Sequence, residues 1–204
     1  MENRLGVLIS GRGSNLQAIS DAITTGRLRA TIAVVISNVA SAAGLERARA
    51  AGLPTLVLPH TDHPARVDYD RRLADALGQY HVDLVCLAGF MRLVSPAFID
   101  RFPNKIVNIH PSLLPAFPGL DAPRQALDHG VKVTGATVHF VDAQLDAGPI
   151  ILQGAVPLLP DDTAERLSAR ILEEEHRLYP RAIQLVLNGG WHIEGRRFVS
   201  PLTD

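Results

Sequence analysis

The chain contains very little cysteine and no excess of charge of either sign. Cys86 is the only cysteine among 204 residues, so an internal disulfide is excluded. It lies in the apolar run 84–88, where a small packed core residue is a better interpretation than a nucleophile. Lys and Arg total 20 against 21 Asp and Glu, a net charge of -1. Because this balance gives no general attraction to nucleic acid or to an anionic membrane, any anionic ligand needs a local site.

Long apolar runs and low-complexity segments are also missing. No stretch approaches the ~20 apolar residues that a bilayer-spanning helix requires, and the first residues lead into a short apolar strand without the apolar region of a signal peptide. Hydrophobic residues make up 47% of the chain and charged residues 20%, which excludes a disordered protein. We therefore expect a cytoplasmic protein with a single domain at 1–204, composed of halves at about 1–103 and 104–204.

Short runs of Val, Ile and Leu alternate with longer amphipathic segments in the first half. The runs predict strands at 5–9, 31–36, 55–58, 84–88 and 106–109, and the segments predict helices at 15–24, 42–50 and 66–77. Near-continuous apolar strands separated by helices are typical of a parallel sheet covered on both faces. We predict an α/β fold with a doubly wound, mostly parallel sheet.

The pattern changes after Pro111. A loop rich in proline and glycine reaches Pro123, a short helix is predicted at 124–127, and strands are predicted at 133–141 and 150–156. Because a short loop joins these two strands, they are expected to pair antiparallel. The last helix is predicted to begin at Asp162, with Glu165 completing a capping box, and to end at 188–190 before a small strand or hairpin.

The turn between the first strand and the first helix contains Gly11 and Gly13, followed by Ser14 and Asn15. At the carboxyl edge of a parallel sheet, such a turn can hold a phosphate on backbone N–H groups, but a tight turn with an ordinary cap is an equal alternative. The third glycine of a dinucleotide motif is replaced by Leu16, and the second strand ends without the acidic residue that holds a ribose. A phosphomonoester therefore fits better than NAD or ATP.

Two polar side chains follow the fifth apolar run. Asn108 and His110 lie two positions apart, so in a strand they project to the same face, roughly 7 Å apart along the backbone. An amide and an imidazole are costly at the end of a buried strand without partners. An amide can stabilise an oxyanion while an imidazole moves a proton, so the pair indicates an acyl-transfer site. His139, in a later strand, is interpreted as a packed or hydrogen-bonded residue.

Several motifs carry a resemblance to a known family. The run Asn108-Ile109-His110-Pro111-Ser112-Leu113-Leu114-Pro115 and the segments 138–141 and 145–150 resemble the folate-dependent formyltransferases. The segment 11–18 and the late motif beginning Glu175-His176 resemble, within them, the glycinamide ribonucleotide formyltransferases of purine synthesis. The similarity runs over essentially the whole chain and implies a Rossmann-like formyltransferase fold.

The resemblance also implies an activity and three sets of site residues. An amine of glycinamide ribonucleotide would attack the formyl carbon of 10-formyltetrahydrofolate. Asp146, close to the imidazole of His110, would favour its protonated form. The implied sets are the catalytic residues Asn108, His110 and Asp146; the phosphate and ribose residues Gly13, Ser14, Asn15, Glu174 and Glu175; and the folate residues Arg66, Met91, Arg92, Leu93, Val94, Asn108, Asp142, Ala143, Gln144, Leu145 and Asp146.

Other interpretations remain open at this stage. Some relatives have histidine where this chain has Asp121, so a loop histidine is not expected to contact substrate. His60 and His63 have no third ligand nearby in the sequence, and we expect no metal. The alternatives are a formyltransferase for another amine such as a sugar nucleotide, a non-catalytic nucleotide- or folate-binding module and, least favoured, an NAD oxidoreductase. We expect small-molecule substrates, no nucleic acid or membrane partner, and a monomer or homodimer.

Overall fold

The fold was analysed in a computed structural model that describes residues 3–62 and 65–201. The first two residues and His63, which entered the sequence predictions, lie outside the described residues. The chain divides into two compact units, Met1–Asn108 and Ile109–Asp204. The prediction of a single domain with halves at 1–103 and 104–204 stays a prediction.

The first unit is built on parallel strands. In chain order they are β1 (Arg4–Ile9), β2 (Thr31–Ser37), β3 (Thr55–Val57), β4 (Leu84–Leu87) and the start of β5 (Ile106–His110). β1 pairs with β2 and β4, β2 pairs with β3, and β4 pairs with β5, all parallel. β1 and β4 are almost entirely buried, and burial raises the pKa of the Cys86 thiol. Cys86 is therefore a packed core residue.

The strands of the first unit alternate with helices α1 (Ser14–Thr24), α2 (Ala43–Ala50), α3 (Arg66–Gln79) and α4 (Pro96–Arg101), and a 3-10 turn spans His60–Asp62. The first three helices confirm the sequence prediction to within two residues. α4 was not predicted, although Ser95 followed by Pro96 is a common way for a helix to begin. It was missed because six residues are too few to show an amphipathic period.

The second unit contains antiparallel strands, as predicted. β6 (Val133–Phe140) pairs antiparallel with β7 (Ile150–Pro157), and β8 (His192–Glu194) pairs antiparallel with β9 (Arg197–Val199). β9 also pairs parallel with β7, at Ile150 and Arg197. With the parallel strands of the first unit, this arrangement confirms the predicted fold class.

Helices α5 (Ala122–Asp128) and α6 (Ala164–Asn188) complete the second unit. α6 contacts β6 and β7 through an apolar stripe that is buried at Leu167, Ile171, Leu178, Ala182, Ile183 and Val186. Gly189 follows the helix as predicted, at a positive φ of 68°. Within the described residues, no helix is both long enough and apolar enough to cross a membrane.

The predicted start of α6 was wrong. The N-cap is Thr163, whose side chain accepts a hydrogen bond from the Arg166 backbone N–H. Asp162 instead accepts hydrogen bonds from the Leu159 backbone N–H and the Arg170 guanidinium, which hold its pKa below the ordinary value. Because its carboxylate is committed to these partners, the next residue caps the helix, and Glu165 does not stand at the capping-box position.

The cap makes a testable contribution to stability. Thr163→Ala should lower the free energy of unfolding by about 1 kcal/mol, because it leaves a first-turn N–H without its side-chain acceptor. Urea denaturation measures the change. Thr163→Ser keeps the oxygen and should lie within about 0.5 kcal/mol of the wild type; equal losses in the two variants would contradict the assignment of the cap.

Candidate active site

The glycine turn of the first unit has its shape fixed by close backbone contacts. Gly13 is the N-cap of α1 and has a φ of 72°, the left-handed region that favours glycine. A side chain at Gly13 would overlap the Cα atom of Gly44 in α2. The Gly44 N–H donates to the Gly11 carbonyl at 2.9 Å, and the Arg47 guanidinium donates to the Arg12 carbonyl at 3.0 Å. Because the cap is a glycine, neither Ser14 nor Asn15 caps α1.

The residues of the first unit that were predicted to contact folate follow β4 or lie at the start of α3. Met91, Arg92, Leu93 and Val94 follow β4, and the side chains of Met91 and Leu93 are 68% and 57% exposed. The guanidinium of Arg92 lies over the ring of Tyr69 at 4.8 Å, close enough for a cation–π interaction. Arg66 is exposed at the start of α3. The segment thus presents the apolar side chains of Met91 and Leu93 to solvent.

Asn108 and His110 both lie in β5, which runs one residue further than predicted. Asn108 is half-buried and His110 is buried. The Nε2 atom of His110 lies 2.9 Å from the Phe117 carbonyl oxygen, and its Nδ1 atom lies 3.4 Å from the Asp146 carboxylate. Both partners are acceptors, so only a doubly protonated ring can donate to both. The ring thus lies between a backbone carbonyl and a carboxylate.

Asp146 is held where it faces His110. Its Oδ2 atom accepts a hydrogen bond from the Gly119 N–H at 2.8 Å, and its backbone has a φ of 48°. Phe117, whose carbonyl faces the other ring nitrogen, also has a positive φ, 55°. Non-glycine residues adopt this conformation at a cost, which is met where the surrounding structure requires it. The surrounding structure therefore holds both groups that face His110 in costly backbone conformations.

The loop that carries Phe117 is held by a buried threonine of β6. The Thr137 hydroxyl donates to the Ser112 carbonyl at 2.6 Å and accepts from the Leu114 N–H at 3.0 Å. Gln153 of β7 donates to the Leu114 carbonyl at 2.9 Å. Two neighbouring strands therefore fix the start of the loop, and with it the carbonyl that faces His110.

His139 was not predicted as part of the site. It is buried, donates from Nδ1 to the Phe140 carbonyl at 2.8 Å, and has its Nε2 atom 3.7 Å from the second oxygen of Asp146. Burial lowers its pKa, against the opposing effects of the Phe140 carbonyl and Asp146, so the ring is neutral at neutral pH. The available signal was a histidine near the end of a predicted strand, just before the loop that contains Asp146.

The remaining predicted residues of the second unit are distributed over the 142–146 loop and α6. In the loop, the Gln144 N–H donates to the Asp142 carboxylate at 2.9 Å, Ala143 and Gln144 are exposed, and Leu145 is 50% exposed. Glu175 of α6 is buried, whereas Glu174 is half-buried and forms an ion pair with Arg177. The carboxylate of Glu174 is thus already engaged by a cation of its own helix.

A metal ion would need a cluster of ligating side chains among residues 3–62 and 65–201. These residues contain no group of three or more His, Cys, Asp or Glu side chains that could hold a metal ion.

Comparison with known proteins identifies the family of this chain. The formyl transferase family model matches residues 3–183, which is most of the chain and includes β5, the 142–146 loop and most of α6. The chain therefore belongs to the formyl transferase family. This confirms the family predicted from the motifs around Asn108 and Asp146.

Several individual proteins and solved structures are similar to this chain over most of its length. The crystal structure of glycinamide ribonucleotide transformylase 1 from Symbiobacterium toebii is 59% identical with a TM-score of 0.96, and the match covers 98% of this chain and 94% of that one. Phosphoribosylglycinamide formyltransferase from Escherichia coli is 47% identical over 93% of this chain and 87% of its own length. The human trifunctional purine biosynthetic protein adenosine-3 is 50% identical over 91% of this chain, which spans only 18% of that protein.

The buried His139 generates a prediction about pH. Its pKa is lowered in the folded state, so below its unfolded value of about 6.5 the unfolded chain binds a proton that the folded chain does not. Stability should therefore fall as the pH drops through this range, by at most about 1.4 kcal/mol per pH unit for one proton. His139→Gln should make this fall smaller, as measured by urea unfolding at pH values from 7.5 to 5.5.

The matched control is His192→Gln, at an exposed position in β8. Only a buried imidazole couples folding to pH in this way, so the control should lose stability with falling pH as the wild type does. An unchanged slope in His139→Gln would contradict the assignment of His139 as a buried neutral ring.

Proposed function

We propose that this chain transfers the formyl group of 10-formyltetrahydrofolate to the amine of 5'-phosphoribosylglycinamide. The products are the formylated ribonucleotide and tetrahydrofolate, a step of de novo purine biosynthesis. The observation that carries the proposal is the buried His110 ring between the Asp146 carboxylate and the Phe117 carbonyl. The names of the relatives from Symbiobacterium toebii and Escherichia coli support the substrate.

The proposed reaction transfers a formyl group from a folate nitrogen to an amine nitrogen. The amine nitrogen bonds to the formyl carbon, the carbonyl oxygen takes negative charge, and the bond from that carbon to the folate nitrogen then breaks. The proton that the amine loses is passed to the leaving folate nitrogen. Asn108 and His110 would stabilise the oxyanion, and His110 would also move the proton. Asp146 would hold the imidazole in its protonated form while that charge develops.

The glycine turn is proposed to bind the phosphate of the ribonucleotide. Gly13 caps α1 without a side chain that could cover the first-turn N–H groups, and the start of a helix favours an anion. Ser14 and Asn15 follow directly and can add donors. In the second unit, the buried carboxylate of Glu175 is proposed to bind the ribose, whereas Glu174 has a weaker claim because Arg177 already engages it.

The folate is proposed to contact the residues that expose apolar side chains or backbone. In the first unit these are Met91, Arg92, Leu93 and Val94, with Arg66 reaching the glutamate tail. In the second unit they are Asp142, Ala143, Gln144, Leu145 and Asp146. The exposure of Met91, Leu93 and Leu145 supports this assignment, because a pterin ring requires apolar contacts as well as backbone hydrogen bonds.

The experiment that tests the proposal mixes the protein with 10-formyltetrahydrofolate and follows tetrahydrofolate formation with and without glycinamide ribonucleotide. We expect turnover that requires the amine. A sugar nucleotide amine serves as a second acceptor and should give little product. Turnover without any amine would indicate a hydrolase. The absence of turnover with glycinamide ribonucleotide would overturn the proposal and favour the alternative of a non-catalytic binding module.

The proposed role of Asp146 is tested separately. Asp146→Asn removes the negative charge that faces His110, so kcat should fall by about 100-fold or more, the low end of general acid–base contributions. The residual activity should increase as the pH is lowered, because the proton must then come from solution. The measurement is steady-state kcat from pH 5.5 to 8.5.

Asp128→Asn is the matched control, because Asp128 makes only an exposed ion pair with Arg124 within α5. Such pairs contribute little to stability, so its kcat should remain close to that of the wild type. If Asp146→Asn kept the wild-type kcat, the role of Asp146 would instead be in loop structure or folate binding.

A further inference from the structure

The 91–95 segment of the first unit is fixed by contacts from two other elements. The Met91 N–H donates to the hydroxyl of Ser10, at the end of β1, at 2.8 Å. The Ser95 N–H donates to the buried carboxylate of Asp70 in α3 at 2.5 Å. Between these two points, Arg92 lies over Tyr69 of α3. An exposed stretch without regular secondary structure is therefore held at both ends and in its middle.

Ser10 is an unexpected partner of the 91–95 segment. It directly precedes Gly11, so its position in the sequence associates it with the glycine turn. Its hydroxyl points elsewhere: it donates to the Asn38 side-chain oxygen at 2.5 Å and accepts from Met91. Because the hydroxyl proton is used on Asn38, an oxygen lone pair is directed toward the Met91 N–H. Asn38 in turn lies 3.2 Å from the ring of His60, which extends the polar network along this edge of the strands.

The glycine turn does not depend on that hydroxyl. The backbone N–H of Ser10 donates to the Gly89 carbonyl at 3.0 Å, a bond that any residue at position 10 except proline can make. Gly44 and Arg47 hold the carbonyls of Gly11 and Arg12. Removing the Ser10 hydroxyl should therefore loosen the 91–95 segment and leave the glycine turn in place.

We propose that Ser10 is a positioning residue for the folate-binding segment, although it borders the turn assigned to the phosphate. The inference rests on the proposed function, in which Met91–Val94 contact the folate. The Ser10 hydroxyl fixes the Met91 backbone and thereby the side chains and carbonyls that follow it. Its loss lowers folate affinity without removing a group that contacts either substrate.

The test compares Ser10→Ala with Ser37→Ala. Ser37 is a buried serine at the end of the neighbouring strand β2, and its hydroxyl bonds only to the backbone of Val39, two residues away. Both variants thus lose a hydroxyl with two hydrogen bonds at the same edge of the strands. The first readout is hydrogen exchange of the Met91 amide by NMR, which needs no ligand. The second is the steady-state KM for 10-formyltetrahydrofolate and for glycinamide ribonucleotide, with kcat.

In Ser10→Ala we expect Met91 exchange to speed up and the folate KM to rise by about tenfold, the effect of leaving one N–H without its partner. kcat and the ribonucleotide KM should stay within about twofold, the signature of lost ground-state binding. Ser37→Ala should change neither readout. Faster exchange with an unchanged folate KM would overturn the inference, as would an equal rise in both KM values. A wild-type protein without turnover would instead overturn the proposed function.

Discussion

The candidate site depends on one constraint, which is that a buried imidazole faces two acceptors at once. The ring nitrogens of His110 lie 2.9 Å from the Phe117 carbonyl and 3.4 Å from the Asp146 carboxylate. A buried polar ring is costly unless it is hydrogen-bonded, so both acceptors must be held in place. Phe117 and Asp146 each adopt a positive φ, and the hydroxyl of Thr137 fixes the loop that leads to Phe117. Several hydrogen bonds of the second unit therefore serve to hold the two acceptors of this ring in place.

The two histidines near Asp146 have different partners at their ring nitrogens. His110 has acceptors at both nitrogens, whereas His139 has the Phe140 carbonyl at Nδ1 and, at Nε2, a carboxylate oxygen 3.7 Å away, beyond hydrogen-bond length. Burial then dominates and lowers the pKa of His139. The Asp146 carboxylate opposes this effect at His139 but does not overcome it.

The sequence predicted the parallel strands well because their apolar runs are continuous and are separated by amphipathic helices. It predicted the spacing of Asn108 and His110 from strand alternation alone, but the proximity of Asp146 came from the family resemblance, since no local pattern connects residues that far apart. His139 was missed for the same reason. The start of α6 was wrong because Asp162 and Thr163 can both cap a helix, and the choice is made by Arg170, eight residues later. The predicted roles of the site residues remain predictions.

The close approach of Gly13 and Gly44 has a consequence for redesigning this turn. A Cβ atom at position 13 would lie 2.6 Å from the Gly44 Cα, and one at position 44 would lie 2.6 Å from the Ile9 Cδ1 and 3.0 Å from the Gly13 Cα. The starts of α1 and α2 therefore leave no room for a side chain at either position. Gly11, in the same turn, has open space around the position of a Cβ atom. A library that varies residue 11 and the exposed Arg12 can therefore change the chemistry of the turn while keeping its path, whereas one that varies residue 13 or 44 would change the path itself.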